Sequence, residues 1–298
     1  MSGARTVRAP ADRPLAGIGL MVLAVALLTA MDGIAKYLTQ SLPLVEVVWA
    51  RYAFNLLALL AVLPAWRVAI WRTRQAPLQV LRGLMMIVAT GLMFLALSLI
   101  PMAEAYAINY ISPLLVAVMA AAWLGERVGL QRWLAMAAGF LGVMLVIRPG
   151  SGLFGLAALA PLGAATAFAV YQLVTRMLAR DHVLVTLFYS ATTGTLATSL
   201  FLPFVWQAPG LPALALMLLM GGLGLAGQLA MIKAFALGPA ATISPYIYSQ
   251  IVFAALFGFL VFGDRPDLFT WLGAGVVAVS GLHLLRYEAR GPRGRRAA

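Results

Sequence analysis

Two stretches of the chain decide its fold: PMAEAYAINYISPLLVAVMAAAWLGERVGLQRWLAMAAGFLGVMLVIR at residues 101–148, and PAATISPYIYSQIVFAALFGFLVFGDRPDLFTWLGAGVVAVSGLHLLR at residues 239–286. Both are poor in charge, and each carries a Gly-acid-Arg loop near its middle, at 125–127 and at 263–265. They align without a gap at a shift of 138 residues. One membrane span needs about 20 apolar residues, so each stretch predicts two spanning helices.

The composition of the whole chain extends this prediction. Of the 298 residues, 63% are hydrophobic and 10% are charged, and the mean hydropathy is +0.96. Soluble domains carry about 45–50% apolar and about 25% charged residues, so the composition argues strongly against a water-soluble enzyme. The chain has no cysteine and only two histidines, which excludes thiolate metal sites and a histidine-rich metal centre. We expect a polytopic membrane protein with no cofactor and no metal.

Apolar runs separated by polar breaks predict ten membrane-spanning helices and an all-α membrane fold. The runs cover about residues 15–37, 43–66, 77–99, 102–123, 130–147, 156–178, 184–206, 211–237, 240–262 and 268–285. The first run is too long for a signal peptide and lacks a convincing cleavage site, so it is predicted to be helix 1.

The internal repeat divides these helices into two halves around a central cavity. The longer alignment pairs residues 83–148 with 221–286 and contains 14 identities in 66 positions. We predict a first five-helix repeat at 15–148 and a second, inverted repeat at 153–286, because five is odd and the second half must enter the membrane in the opposite orientation. Inverted repeats are typical of secondary transporters, whose substrate sites lie near the midplane between the halves.

The distribution of basic residues predicts the orientation. With a cytoplasmic N-terminus, 17 of the 21 Lys and Arg residues lie on cytoplasmic segments and 3 on the opposite side, which is a strong positive-inside pattern. We therefore expect cytoplasmic tails at 1–14 and 287–298. The net charge of +12 follows from this pattern, and nucleic acid is not expected as a partner.

Several short motifs carry a resemblance to a known family. They are Asp32-Gly33-Ile34-Ala35-Lys36-Tyr37, Pro43-Leu44-Val45-Glu46 followed by Arg51, Ala105-Tyr106-Ala107 followed by Ser112-Pro113, and Leu124-Gly125-Glu126-Arg127 with its echo Gly263-Asp264-Arg265. With them the chain resembles the drug/metabolite transporter superfamily, in its ten-helix EamA-type branch, over about residues 15–286. The resemblance implies a central cavity lined by helices 1, 3, 4, 6, 8 and 9, with helices 5 and 10 peripheral. Within the family, we expect the chain to be most similar to the YddG-type exporters of (aromatic) amino acids.

Charged residues inside predicted spans are functional candidates, because each costs roughly 2.5–3.5 kcal/mol at a helix centre. Asp32 and Lys36 are four residues apart and share a helix face. They form an ion pair near the outer interface, or Asp32 is a cavity carboxylate that titrates or binds a substrate ammonium. Arg51 is expected to tie helix 2 to a neighbour. Glu104 is expected to pair with Arg51 or Lys36, or to meet a cationic group in the cavity.

A polar cluster is predicted at the midplane. Tyr110 and Tyr248 occupy equivalent positions in the repeat, nine residues after Pro101 and Pro239, so we expect their rings to face each other. Further predicted substrate-binding residues of this cluster are Tyr106, Asn109, Tyr171, Gln228, Tyr246 and Gln250. Such groups either line a watered cavity or make helix–helix hydrogen bonds. With no arginine pair expected at this depth, a zwitterion or a neutral polar solute fits better than a phosphorylated one.

Helices 4 and 9 carry prolines, Pro113 and Pro245, which free backbone carbonyls and allow bending. We also expect glycines such as Gly83 and Gly221 to give helices 3 and 8 close-packing faces.

These features predict a secondary transporter that lies in the lipid bilayer of a bacterial inner membrane and exports amino acids by alternating access. Protons are possible coupling ions. The alternative is a permease or exporter for another small metabolite or drug, such as a vitamin, a purine or a cation. A lipid-processing membrane enzyme is a remote alternative. The sequence has no histidine set, and its only acid pair at metal spacing in a loop is Asp264 and Asp267.

Overall fold

The computed structural model describes residues 14–62, 72–124, 130–147, 155–178, 181–237 and 243–290, and all regular structure in these ranges is helical. The helices of the first half are α1 Pro14–Leu38, α2 Leu44–Val62, α3 Ala76–Leu99, α4 Met102–Asn109, α5 Ser112–Leu124 and α6 Leu130–Ile147. Those of the second half are α7 Leu159–Met177, α8 Val183–Ser199, α9 Leu202–Val205, α10 Leu211–Ala236, α11 Ser249–Phe262 and α12 Leu268–Arg290. Short 3-10 segments at Gly155–Ala158 and Ser244–Tyr248 precede α7 and α11.

The helices are those of a membrane protein. In the described ranges, four of them, α1, α2, α3 and α10, are long and apolar enough to cross a membrane, and α6, α7, α11 and α12 contain shorter apolar segments. Large apolar side chains such as Leu141, Leu260 and Val279 are more than half exposed. Apolar surface of this extent marks a membrane or protein contact in a stable protein. The full count of ten spans stays a prediction.

Prolines interrupt three of the predicted helices, at Pro113, Pro203 and Pro245. The run predicted as one helix over 102–123 is split, because α4 ends at Asn109 and α5 begins at Ser112. Pro113 is the second residue of α5. In a continuous helix it would have no N–H to donate to the Asn109 carbonyl, and its ring would clash with that carbonyl. The run predicted at 240–262 is likewise divided between the 3-10 segment, which contains Pro245, and α11. The single helix predicted over 184–206 ends at Ser199 and is followed by the four-residue α9.

The core lies where the two halves meet. α1 packs along α10, α2 along α8 and α10, α3 along α7, and α6 along α12. Phe94, Leu97, Met102 and Met220 are completely buried in one apolar cluster at the centre of this arrangement. The packing therefore places helices of the first half directly against helices of the second, with α6 and α12 paired beside them.

Candidate functional site

A polar cavity lies between α2, α3, α7, α8 and α10. It is lined by Arg51, Tyr52, Asn55, Arg82, Met86, Tyr171, Leu187, Ser190, Ala191 and Gln228. The volume of the cavity is about 20 Å³, which is room for roughly one water molecule. In this structure the cavity is too small to hold an organic metabolite.

Arg82 ties three of these helices together from inside the bundle. Its Nε donates to Thr175 Oγ1 at 2.7 Å, its Nη1 to the Thr186 carbonyl at 3.2 Å and to Ser190 Oγ, and its Nη2 to the Tyr171 hydroxyl. The guanidinium also lies 4.4 Å from the centre of the Tyr171 ring. Every one of these partners is neutral, so the arginine joins α3 to α7 and α8 without an opposing charge.

Arg82 is a cavity residue that the sequence did not predict. The positive-inside pattern places it with the cytoplasmic charges, but it is the seventh residue of α3 and only 5% exposed. Its position inside the predicted span at 77–99 already indicates a functional role, because charged residues are rare within membrane spans and are usually functional. Because Arg51 and Arg82 line the same cavity, the expectation that no arginine pair lies at the site is wrong for this cavity.

Arg51 and Asp32 form a loose buried pair. Arg51 Nη1 lies 3.9 Å from Asp32 Oδ1, which is too long for a hydrogen bond. The guanidinium stands 5.4 Å from the centre of the Phe94 ring and 5.8 Å from that of Tyr52. The other oxygen of Asp32 accepts a hydrogen bond from the Tyr106 hydroxyl, while no described residue donates a hydrogen bond to Oδ1. The neighbour that the sequence expected for Arg51 is therefore Asp32.

Lys36 does not pair with Asp32, so that expectation is wrong. Lys36 Nζ lies 2.7 Å from Asp264 Oδ2 and 3.4 Å from the Ile100 carbonyl oxygen. The backbone N–H of Met102 also donates to Asp264 Oδ2, at 3.4 Å. The pair thus joins the end of α1 to the junction of α3 and α4 and to the α11–α12 loop.

Glu104 is positioned on α4 and is 6% exposed. Its Oε1 accepts a hydrogen bond from Thr270 Oγ1 at 3.4 Å, which joins α4 to α12. The contact does not involve Arg51 or Lys36, the partners that the sequence suggested for this carboxylate.

Tyr110 and Tyr248 meet in a second polar cluster, separate from the cavity. Their ring centres are 4.9 Å apart with an angle of 34° between the planes, as the repeat predicts. The Tyr110 hydroxyl oxygen lies 2.8 Å from both the Ile247 carbonyl oxygen and Gln250 Oε1, so its one proton is shared between two acceptors. The Tyr248 hydroxyl is buried and has no hydrogen-bond partner among the described residues. In this conformation Tyr110 fastens the end of α4 to the start of α11.

The remaining predicted residues divide between these places. Tyr171 and Gln228 line the cavity, and Asp32 and Tyr106 lie beside it through Arg51. Asn109 is the partly buried last residue of α4. Tyr246, in the 3-10 segment before α11, is 40% exposed.

Removing the two tyrosine hydroxyls should have unequal effects. Tyr110→Phe removes the hydroxyl that joins the end of α4 to the Ile247 carbonyl and Gln250 Oε1, and we expect it to lower the unfolding free energy by about 1 kcal/mol. Tyr248→Phe removes a hydroxyl that has no partner among the described residues, and its effect should stay within about 0.5 kcal/mol. Thermal unfolding of both variants in one detergent tests this. Equal losses of stability would contradict the hydrogen-bond assignment.

Comparison with known proteins adds family evidence to this geometry. The sequence profile described as the EamA-like transporter family matches residues 15–148 and again residues 155–286. The chain is 27% identical to an S-adenosylmethionine uptake transporter of Rickettsia bellii, covering 92% of this chain and 94% of the relative. It is 30% identical to a riboflavin transporter of Rhizobium johnstonii, with 95% of each covered. It is 29% identical to a pseudopaline exporter of Pseudomonas aeruginosa, with 91% and 96% covered.

A solved crystal structure shares the fold. It superposes with a TM-score of 0.63 over 92% of this chain and 99% of that one, at 19% sequence identity. The likeness at this identity concerns the fold alone.

Proposed function

Because the chain belongs to the EamA-like transporter family, we propose that it is a secondary transporter that moves a small organic metabolite across a bacterial inner membrane by alternating access. The family and the apolar helices make it a multi-pass membrane protein. The names of its relatives indicate transport and not enzymatic activity. The observation that carries the proposal is the closed polar cavity between helices of both halves.

The proposed substrate is a small metabolite other than a common amino acid. The relatives are named for S-adenosylmethionine, riboflavin and pseudopaline, and these names support the alternative of another small metabolite better than amino-acid export. The cavity wall supports a polar solute, since it combines two guanidinium groups with the hydroxyls and amides of Tyr171, Ser190 and Gln228.

We propose ten spans in two inverted halves, 15–148 and 153–286, with both termini in the cytoplasm. Two separate family matches, at 15–148 and 155–286, support the division. The distribution of Lys and Arg supports the orientation.

Alternating access requires two closures that open in turn. On the predicted inner side, Arg82 holds α3 to α7 and α8, and Asp181 accepts hydrogen bonds from Thr73 and Gln79. On the predicted outer side, Lys36 holds the Asp264 loop. We propose that Asp32, Tyr106, Tyr171 and Gln228 face the solute. In this proposal a second group of predicted residues lies where the two halves move past each other. The group consists of Asn109, Tyr110, Tyr246, Tyr248 and Gln250, and Glu104 lies on α4, which ends just before Tyr110.

Reconstituted protein tests the proposed function. Proteoliposomes should take up or release radiolabelled S-adenosylmethionine or riboflavin faster than liposomes without protein, and should move common amino acids at the background rate. A pH gradient across the membrane shows whether protons are coupled to this flux. If folded protein moves none of the metabolites, or moves amino acids in preference to them, this proposal fails.

A further inference from the structure

Arg51 is a buried cation whose hydrogen-bonding groups are unused. It is 9% exposed and carries five N–H donors. In the ranges that the structure describes, none of the five makes a hydrogen bond, and the nearest carboxylate oxygen, Asp32 Oδ1, is 3.9 Å away. The residue lines the cavity. Burying a guanidinium with unpaired donors is costly, so these donors need a partner inside the cavity.

The charges around the cavity do not balance. Arg51 and Arg82 both line it, and Asp32, beside Arg51, is the single carboxylate that the described residues bring to either guanidinium. Arg82 contacts only neutral groups, on Thr175, Thr186, Ser190 and Tyr171. With both arginines charged and Asp32 ionised, one positive charge is left without compensation. Such a site attracts an anion and disfavours a simple cation.

We propose that Arg51 binds an oxyanion of the transported solute, most simply a carboxylate, and that the substrate is therefore a small metabolite that carries such a group, as S-adenosylmethionine does and the uncharged riboflavin does not. This inference rests on the proposed transport function. A guanidinium binds a carboxylate through two parallel charge-assisted hydrogen bonds, and Arg51 has the donors available for both.

Arg82 lines the same cavity and can share the bound anion with Arg51. Its bonds to Ser190 and Tyr171 close the cavity between α3, α7 and α8. These bonds must break when the walls separate to admit a solute, and an oxyanion held at Arg51 offers Arg82 new acceptors at that moment. The anion thus compensates both cations in the occupied state.

The test is a comparison of two solutes on three proteins. The solutes are S-adenosylmethionine and decarboxylated S-adenosylmethionine, which differ by one carboxylate. The proteins are the wild type, Arg51→Gln and the control Arg74→Gln, which changes an exposed arginine before α3. We expect the wild type to bind the carboxylate-bearing solute roughly 10- to 100-fold more tightly, the range of a charge-assisted hydrogen bond. Arg51→Gln should abolish that difference, and Arg74→Gln should keep it. A preference that persists in Arg51→Gln, or is absent from the wild type, overturns the proposal.

A second measurement separates this inference from the transport function. Thermal unfolding of purified protein is recorded in succinate, phosphate or chloride at constant ionic strength, for the wild type and for Arg51→Lys, which keeps the charge but loses the planar fork. Succinate should raise the midpoint of the wild type more than chloride does, and Arg51→Lys should lose most of that rise. A larger rise with phosphate assigns the site to phosphorylated solutes. Equal midpoints in all three salts overturn the oxyanion site, whereas an anion effect in protein that moves no solute overturns the transport function alone.

Discussion

Removing the charge of either partner of the Lys36–Asp264 pair is expected to abolish transport, and exchanging the two charges is expected to restore part of it. The side chains of Lys36 and Asp264 are only 10% and 19% exposed. Removing one member of a buried pair leaves the other charge uncompensated, at a cost of about 3–5 kcal/mol. The closure that this pair forms should therefore no longer reach its normal geometry in Lys36→Met or in Asp264→Asn.

The local backbone explains why Asp264 reaches Lys36. α11 ends in a left-handed turn, because Gly263 has φ 71° and its N–H bonds to the Phe259 carbonyl, while the N–H of Asp264 bonds to the Gly258 carbonyl. This arrangement is a glycine C-cap, and it fixes the first residue of the loop. The carboxylate is thereby held against α1, where it also receives the N–H of Met102.

Transport in proteoliposomes with equal amounts of incorporated protein tests the pair. The set consists of Lys36→Met, Asp264→Asn, the exchanged double variant Lys36→Asp/Asp264→Lys, and the control Lys233→Met, which removes an exposed lysine from the last turn of α10. Thermal unfolding is measured alongside, so that loss of transport is not confused with loss of folding. Wild-type transport by Lys36→Met would show that the pair is not needed, and an inactive but folded double variant would contradict a role based on pairing.

The class of fold was predictable because a bilayer leaves few choices. Backbone groups in hydrocarbon must be paired within the chain, so long apolar runs become helices. The repeat also predicted a contact correctly, since the ring centres at the equivalent positions Tyr110 and Tyr248 lie 4.9 Å apart. The interruption at Pro113 follows from the chemistry of proline, and the end of α8 at Ser199 follows from Pro203 in the same way, since each helix ends four residues before the proline.

The partners of the charged residues were not predictable from spacing. Lys36 stands four residues from Asp32, which favours a local pair, yet its partner Asp264 is 228 positions away. Arg82 has partners 89 to 108 positions away, on α7 and α8. Such contacts depend on how the two halves pack together. The equivalent loop of the first half, at 125–127, lies outside the described residues.

Adding one methyl group at Gly221 is expected to disrupt the contact between α10 and α2. A Cβ at this position would lie 2.5 Å from the Cβ of Phe54, 2.6 Å from its carbonyl carbon and 2.8 Å from the backbone nitrogen of Asn55. Backbone atoms inside a helix cannot move individually, so Gly221→Ala must push the two helices apart. Overpacking of this kind costs about 1–3 kcal/mol and occasionally more, and we place Gly221→Ala at the upper end of that range.

Neighbouring glycines of α10 provide matched controls. A Cβ at Gly222 would meet no atom within 4 Å, so Gly222→Ala should be neutral or, from its higher helix propensity, more stable by up to about 1 kcal/mol. A Cβ at Gly224 would lie 3.0 Å from Met31 Sδ and 3.3 Å from Asn55 Nδ2. Both are atoms near the ends of side chains that can adjust, and Gly224→Ala should fall between the other two.

The disruption should reach the proposed transport site, because α2 carries Arg51 and Asn55 while α10 carries Gln228, and all three line the cavity. Gln228 lies seven residues after Gly221, about 10 Å along the same helix. Separating α2 from α10 must therefore widen the cavity and weaken its closed state. We expect the thermal midpoint and the transport rate to fall together in the order Gly222→Ala, Gly224→Ala, Gly221→Ala. Equal midpoints for Gly221→Ala and Gly222→Ala would show that the two helices are not held in contact at this point.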